Sequence, residues 1–281
     1  MTRRFDLHTH STASDGTLSP SELVACAAAA GVDVLALTDH DTLEGIAEAN
    51  AAARRLGVEL VPGVEVSVTW QGGTIHVLGL DVDPRARALN AGLAGLREFR
   101  DWRAREIGRR LERDAGLIGA FEGALALSSG RLVGRTHFAR HLVAQGRAES
   151  VRDVFRRFLK PGKPGHVAGQ WAVLGDAVDW IRQAGGQAVI AHPARYPLTR
   201  AKLRRLLAEF IELGGVGLEV VSGSHSRDDQ LVMAGHAREF GLLASAGSDY
   251  HGPEQPWLEL GRLPALPAGC RPIWSAWRAA A

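Results

Sequence analysis

The sequence predicts an α/β fold built on a parallel sheet, with one all-helical insertion. Three observations lead there. Strand-like and helix-like stretches alternate at both ends of the chain, which predicts a parallel sheet covered by helices on both faces. Between about residues 84 and 164 the pattern changes to helical periodicity with no strand. Histidines and carboxylates recur close to the strand candidates, as they do where the strands of such a sheet converge on one site. Seven strand candidates fit a closed barrel; an open, doubly wound sheet is the alternative.

In chain order, residues 5–8 read as a strand. Ser19-Pro20-Ser21-Glu22 is a capping box with proline at the first helical position, and it opens an alanine-rich helix ending near Gly31. Residues 34–38 are continuously apolar, as in a strand buried on both faces. Asp41-Thr42-Leu43-Glu44 reads as a second capping box, for a helix running to about Leu56. Strand-like stretches at 60–62 and 64–68 follow, counted as one candidate, and after Gly72-Gly73 comes another at 74–80. In the middle of the chain Leu93, Leu96, Trp102, Ile107 and Leu111 mark the apolar positions of one long helix. Shorter helices are predicted at 117–127, 136–145 and 151–159, and Gly162-Lys163-Pro164-Gly165 closes the segment. Alternation then resumes: helix 174–184, strand 188–191, helix 200–213, strand 217–221, helix 227–240, strand 243–246. The C-terminal stretch is proline-rich and irregular until 273–278. The predicted organisation is a barrel in two parts, 1–84 and 166–281, interrupted by a helical cap at 85–165.

Composition narrows the function classes. The 281 residues are 46% hydrophobic and 23% charged, and no apolar run is long enough for a membrane helix. No secretory h-region follows Met1, and Cys26 and Cys270 stand far apart without a CxxC, so a cytoplasmic protein with reduced thiols is expected. No obligate protein partner is evident. The net charge of +2 is unevenly spread: residues 85–157 hold 16 arginines against 8 acids. A basic segment in an otherwise acidic chain suggests an anionic ligand near it, against the alternative of a solvated helix surface.

His8 and His10 are two apart, so on an extended backbone both imidazoles face one point, and Asp15 can reach a neighbouring one. Asp39-His40-Asp41, Glu65, His76, His192 before Pro193, and Ser248-Asp249-Tyr250-His251 lie at or near later strand candidates. Singly, each has an ordinary reading: His76 as a core histidine, His192 in a loop, Asp39 and Asp41 as turn residues ahead of a helix. Together they predict a multinuclear metal site. Imidazole mixed with carboxylate suits manganese, iron or zinc better than magnesium.

Read together, His8-x-His10, Asp15-Gly16, Thr38-Asp39-His40-Asp41, Pro62-Gly63-x-Glu65, His76-Val77-Leu78-Gly79, Ala191-His192-Pro193 and Gly247-Ser248-Asp249-x-His251 resemble the motif set of the PHP (polymerase and histidinol phosphatase) superfamily. The resemblance implies a distorted seven-stranded β/α barrel holding three divalent ions, manganese by preference. It implies His8, His10, Glu65 and Asp249 on the first ion; Glu65 bridging to a second with His76 and His192; and Asp15, His40 and His251 on the third. Three such ions outweigh three carboxylates and would attract a phosphate dianion. The expected chemistry is in-line attack by a hydroxide bridging the first two ions, framed by Glu65, His192 and Asp249.

Gly134-Arg135-x-His137 resembles the family's Gly-Arg-x-His stretch at a helix start, which makes Arg135 and His137 candidate phosphate contacts. Arg100 and Arg103, three apart on one helix face, could hold a second phosphate or simply be solvated. Trp171 could stack on a base or serve the core. Arg195 and His225 are further substrate candidates, and His192, His225 and His251 are the histidines to consider near the leaving group. The layout, with Arg271-Pro272-Ile273-Trp274 near its end, is most similar to small bacterial members with a helical insert. These include 3′,5′-nucleoside bisphosphate phosphatases and 5′-3′ exoribonucleases of short RNA. The resemblance therefore implies removal of the 3′-phosphate from substrates such as 3′-phosphoadenosine 5′-phosphate. The alternative is 5′-3′ cleavage of 5′-phosphorylated short RNA at the same site. A histidinol-phosphate substrate fits less well, because a single phosphate leaves the arginine-rich insert unexplained.

Overall fold

The computed structural model describes residues 3–128, 132–254 and 259–277. In chain order its elements are β1 (Phe5–Asp6), α1 (Pro20–Ala29), β2 (Val34–Leu37), α2 (Ile46–Leu56), β3 (Glu59–Trp70) and β4 (Gly73–Leu80). The inserted helices α3 (Arg87–Ala115), α4 (Ala120–Leu127), α5 (Arg135–Ala144) and α6 (Val151–Val154) follow, α6 running into a π-helical turn at Phe155–Leu159. After them come β5 (Ala172–Val173), α7 (Leu174–Gln183), β6 (Gln187–Ile190), α8 (Arg200–Glu212), β7 (Gly217–Ser222), α9 (Arg227–Glu239) and β8 (Leu243–Gly247). A short 3-10 turn at Ile273–Ala276 stands within the 273–278 stretch that ends the irregular C-terminal segment, and Arg278 lies outside the described residues.

Seven strands form the wall in the order β1-β2-β3-β4-β6-β7-β8, and β5 pairs with β3 off this path. The two edges approach each other: Leu7 N–H donates to Ala246 O at 3.0 Å and Asp249 N–H to His8 O at 2.8 Å, giving a nearly closed barrel. Gly247 permits that approach, because a Cβ there would lie 2.2 Å from the Cβ of His8. One strand departs from the parallel expectation. β4 runs antiparallel to both β3 and β6. Gln71 and Gly72, both at positive φ, make a two-residue hairpin, whereas a parallel return would need a crossover of a dozen residues or more. The stretches expected at 60–62 and 64–68 are one continuous strand.

The first capping box forms as expected: Ser19 and Glu22 cap each other reciprocally. The second does not. α2 begins at Ile46 behind Gly45, with no side-chain cap. Asp41 instead adopts φ 52° and gives its carboxylate to Ser67 N–H and Arg100. Trp102 departs too: it is 50% exposed, on the outer side of α3.

Leu7, Val34, Ala36, Val61, Leu78, Leu80, Val189 and Ala191 pack together inside the wall, with Ile273 among them. Trp274 closes that end by stacking on Phe5, 4.1 Å between centroids. The inserted helices carry a core of their own, including Ile107, Leu111, Phe138, Leu142 and Leu159. α3 belongs to both cores: its first half sends Leu89, Leu93 and Leu96 against the barrel, and its second half sends Ala104, Ile107 and Leu111 into the insert. Among the described residues no helix is long and apolar enough to cross a membrane. Phe138 is fully buried, so Phe138→Ala is expected to lower unfolding stability by about 3–5 kcal/mol, measured by urea denaturation.

Candidate metal centre

Each donor reaches the barrel rim by a backbone route that can be followed. β1 continues past Asp6 so that Thr9 bridges to Tyr250, and Thr38 N–H donates to Thr9 O at 2.9 Å, which sets His8 and His10 between the ends of β8 and β2. His40 forms a bridge with Glu65, and Asp41 N–H donates to Glu65 O at 3.0 Å. Glu65 lies inside the long β3, but three residues beyond Pro62, the last residue that β3 pairs with β2. His76 comes from the N-terminal half of β4. Because β4 runs against its neighbours, that half lies at the same rim where β2, β6 and β8 end. His192 follows β6, and Asp249 and His251 follow β8. Asp15 is held by the turn over 11–16, which is tied to buried Asp39: Ser11 N–H, Ser11 Oγ and Ser14 Oγ all donate to that carboxylate, at 2.6–2.8 Å.

The nine residues converge. His8 Nε2 and His10 Nε2 are 3.1 Å apart, and each lies 3.3–3.4 Å from Glu65 Oε2 and from Asp249 Oδ1. The other Glu65 oxygen, Oε1, is 2.8 Å from His76 Nδ1 and 2.9 Å from His192 Nε2. Asp15 Oδ1 is 3.2 Å from His251 Nε2 and 3.9 Å from His40 Nε2. Donor atoms of His8, His10, Glu65 and Asp249 lie within 4.8 Å of one another; so do those of His10, Asp15, His40 and His251, and those of His40, Glu65 and His76. His40 thus stands between two of these clusters, 2.9 Å from Glu65 Oε2.

These residues fit a divalent cation by a direct criterion. Asp15 Oδ1, His40 Nδ1 and Glu65 Oε2 are buried and, among the described residues, make no hydrogen bond of good geometry, although other donor atoms crowd around them. Buried polar atoms are otherwise almost always satisfied. Electrostatics point the same way. Burial opposes ionisation of Glu65, yet His40, His76 and His8 hold its carboxyl well below the usual range. Burial likewise opposes the Asp15 and Asp249 anions, and the imidazoles of His251 and His40 for Asp15, and of His8 and His10 for Asp249, overcome it. Burial disfavours protonated His10, but hydrogen bonds to Asp249 and Glu65 push it up to about 10; His40, by contrast, is driven by burial down to about 4. The cluster demands positive charge, and without metal it holds protons on His8 and His10.

The anchoring roles of three carboxylates are not visible in the sequence. Glu219, fully buried in β7, accepts from His8 Nδ1 at 2.9 Å and from His192 N–H at 2.5 Å. One side chain thereby fixes the ring of one donor and the strained backbone of another, since His192 sits at φ 28°. Its signal was a lone acid inside the apolar run 217–221. Asp39 and Asp41 read as plain turn residues, yet both are buried anchors.

Beside the cluster lies a cleft of about 170 Å³ between the barrel rim and the insert. Asp15, His40, Glu65, His76, His192, Asp249 and His251 line one side; Arg100, Arg103, Arg135, Phe155 and Trp171 line the other, with Arg195 near Asp249. His137 and His225 are not brought to it. His137 is buried and caps α5, accepting from Gly134 N–H at 3.0 Å, while Thr136 Oγ1 bonds Asp15. His225 is buried in its own loop against Val220 O and Ala194 N. Trp171 lies under Arg100 and Arg103, so arginines occupy ring surface that a base would use.

Protons and metal compete for His8 and His10, so Mn²⁺ binding followed by calorimetry is expected to strengthen as pH rises, until His10 has lost its proton near pH 10. Glu219→Gln is expected to weaken that binding by about 10–100-fold. An unchanged affinity would remove its orienting role.

The comparisons with known proteins agree with this geometry. The PHP domain family matches residues 6–168. A 3′,5′-nucleoside bisphosphate phosphatase from Chromobacterium violaceum is 52% identical, over 96% of this chain and 94% of its own length. A 5′-3′ exoribonuclease from Haemophilus influenzae is 45% identical, over 98% of this chain and 99% of its own length. A structure from Chromobacterium violaceum, described as an amidohydrolase with bound sulfate and no metal, superposes with a TM-score of 0.93 at 51% identity, covering 97% of this chain and 95% of that one. A matching domain over more than half the chain, relatives aligned along nearly all of it and the barrel itself lead to one conclusion: this chain belongs to the PHP domain family.

Proposed function

We propose that this chain is a metal-dependent phosphoric ester hydrolase that removes the 3′-phosphate from nucleoside 3′,5′-bisphosphates, 3′-phosphoadenosine 5′-phosphate giving AMP. The observation that carries the reading is the two-sided cleft. One wall is the histidine–carboxylate cluster. The other presents Arg135, whose guanidinium meets no carboxylate at ion-pair distance among the described residues. Burial lowers its pKa, and neighbouring Arg100 and Arg195 lower it further. Half-buried over the ring of Phe155 and facing no carboxylate partner, this cation would be stabilised by a substrate anion. A substrate with two phosphates uses both walls; a monophosphate uses one. The relative named as a bisphosphate phosphatase supports the same choice.

Three divalent ions, manganese by preference with iron or zinc as alternatives, would be held by His8, His10, Glu65 and Asp249; by Glu65, His76 and His192; and by Asp15, His40 and His251. Such ions lower the pKa of a water and stabilise charge on phosphoryl oxygens when bound. The chain's own residues do the rest. Glu65 spans two donor clusters and sets their separation. His251 is oriented by its Nδ1 contact with Asp249 O at 2.8 Å, which turns Nε2 toward Asp15. Arg195 donates to Asp249 Oδ2 at 2.6 Å and places a cation at the cleft edge, near a developing negative charge. The insert at 85–165 acts as a cap that brings Arg100, Arg103 and Arg135 over the site, with α3 shared between cap and barrel. Two free thiols fit a cytoplasmic setting.

The 45% identity to an exoribonuclease favours a second reading, in which a phosphodiester of short 5′-phosphorylated RNA is cut at the same site. A phosphate-release assay on Mn²⁺-loaded protein decides between them by comparing 3′,5′-bisphosphates, 3′-monophosphates and 5′-phosphorylated dinucleotides. Bisphosphates are expected to turn over best; inert bisphosphates beside active dinucleotides would sink the first reading. Arg135→Ala is expected to raise KM for the bisphosphate by about 10–100-fold, the loss of one charge-assisted contact, with a smaller change for 3′-monophosphates.

A further inference from the structure

Arg100 and Arg103 reach the cleft in an unusual way: each is already bound to protein along one edge. Arg100 donates from Nε to Asp41 Oδ2 at 2.5 Å and from Nη2 to Ser67 Oγ at 2.8 Å. Arg103 donates from Nε and Nη2 to the Val167 carbonyl, at 3.1 and 2.9 Å. In both, Nη1 has no protein acceptor among the described residues. Both guanidiniums also lie over the ring of Trp171, at 5.0 and 5.3 Å from its centroid. The indole cannot drift. Its Nε1–H donates to Thr74 Oγ1 at 3.2 Å, its backbone N–H to Thr69 Oγ1 at 2.9 Å, and Phe99 meets it edge-on at 4.9 Å.

Asp41 links this arrangement to the rim. It follows His40, its N–H donates to Glu65 O, its second carboxylate oxygen accepts from Ser67 N–H at 2.7 Å, and its carbonyl accepts from Arg97 at 3.3 Å. Held at φ 52° and fully buried, it ties the two arginine-bearing turns of α3 to the backbone that carries His40 and Glu65.

We propose that Asp41 and Trp171 are positioning residues that fix how far Arg100 and Arg103 stand from the histidine–carboxylate cluster, so that the site selects nucleotides by the spacing of two phosphoryl groups on one ribose. The proposal rests on the bisphosphate reading above and adds to it the residues that set selectivity. An arginine free to swing would follow a phosphate over several ångströms. One whose Nε edge is bound to an anion or a carbonyl, and whose guanidinium carbon is held over an indole, can offer Nη1 at one place only.

The test uses AMP, which carries the 5′-phosphate alone, and full-length protein. In calorimetric titration Trp171→Leu is expected to bind AMP about tenfold more weakly than wild type, and Trp171→Phe, which keeps a ring face, to recover most of that loss. In turnover Trp171→Leu is expected to raise KM for the 3′,5′-bisphosphate about tenfold more than for the 3′-monophosphate. Equal losses on both substrates, or unaltered AMP binding, would overturn the proposal. Asp41→Asn tests the same point where Trp171→Leu does not fold: it is expected to weaken AMP binding while Mn²⁺ binding by calorimetry stays within about twofold, and a loss of metal without a loss of AMP would refute it. A wild-type enzyme that handled 3′-monophosphates as well as bisphosphates would defeat the functional reading alone, because the AMP titrations still decide the role of Asp41 and Trp171.

Discussion

Three carboxylates, Asp15, Glu65 and Asp249, face one another across a buried rim, and the rest of the structure depends on how that negative charge is held. In a poorly screened interior their mutual repulsion would open the barrel. Six imidazoles surround them, and further buried carboxylates hold the donors in place: Glu219 holds His8 and the backbone of His192, and Asp39 holds the turn that carries Asp15. The arginine wall belongs to the same balance. Cations on the insert lie against a rim that is anionic until it is filled.

The backbone at the site is strained where the chain turns from strand to donor. Asp41, His192 and Asp249 all take positive φ, a conformation that side chains larger than glycine rarely adopt. Each is held by contacts outside its own loop: Asp41 by Ser67 and Arg100, His192 by Glu219, and Asp249 by its N–H to His8 O and by Arg195. The rim is thus preorganised by the packing beneath it.

Much of this was legible in the sequence because donor residues carry their chemistry in their identity. His8-x-His10, Glu65 after Pro62-Gly63, and Ser248-Asp249-x-His251 mark the rim without any coordinates. The helical insert was legible from its period, since a 29-residue helix repeats its apolar positions many times over. What stayed hidden depends on contacts between distant segments. Glu219 looked like an acid in a strand because its partners lie 211 and 27 residues away. Asp41 looked like a cap because Asp-x-x-Glu is a local signal, and only Arg100, 59 residues on, shows what the carboxylate serves. His137, a candidate phosphate contact by its resemblance to the family's Gly-Arg-x-His stretch, depends on local contacts instead. In the fold its imidazole turns back on its own helix start and accepts from Gly134 N–H, three residues before it. The antiparallel β4 was concealed by apolar patterning, which is the same in either direction.

The helix α3 is continuous across two cores, and the arginines that face the cleft sit at the crossing, just after Leu96 and just before Ala104. At about 44 Å it is a single rod whose midpoint lies at the cleft. For anyone wishing to exchange caps between related barrels, this fixes where the splice has to go. A cut inside the helix would fall beside Arg100 and Arg103, which line the cleft. A graft must therefore carry the barrel-packed first half of α3 along with the cap, and selectivity and scaffold would be inherited together.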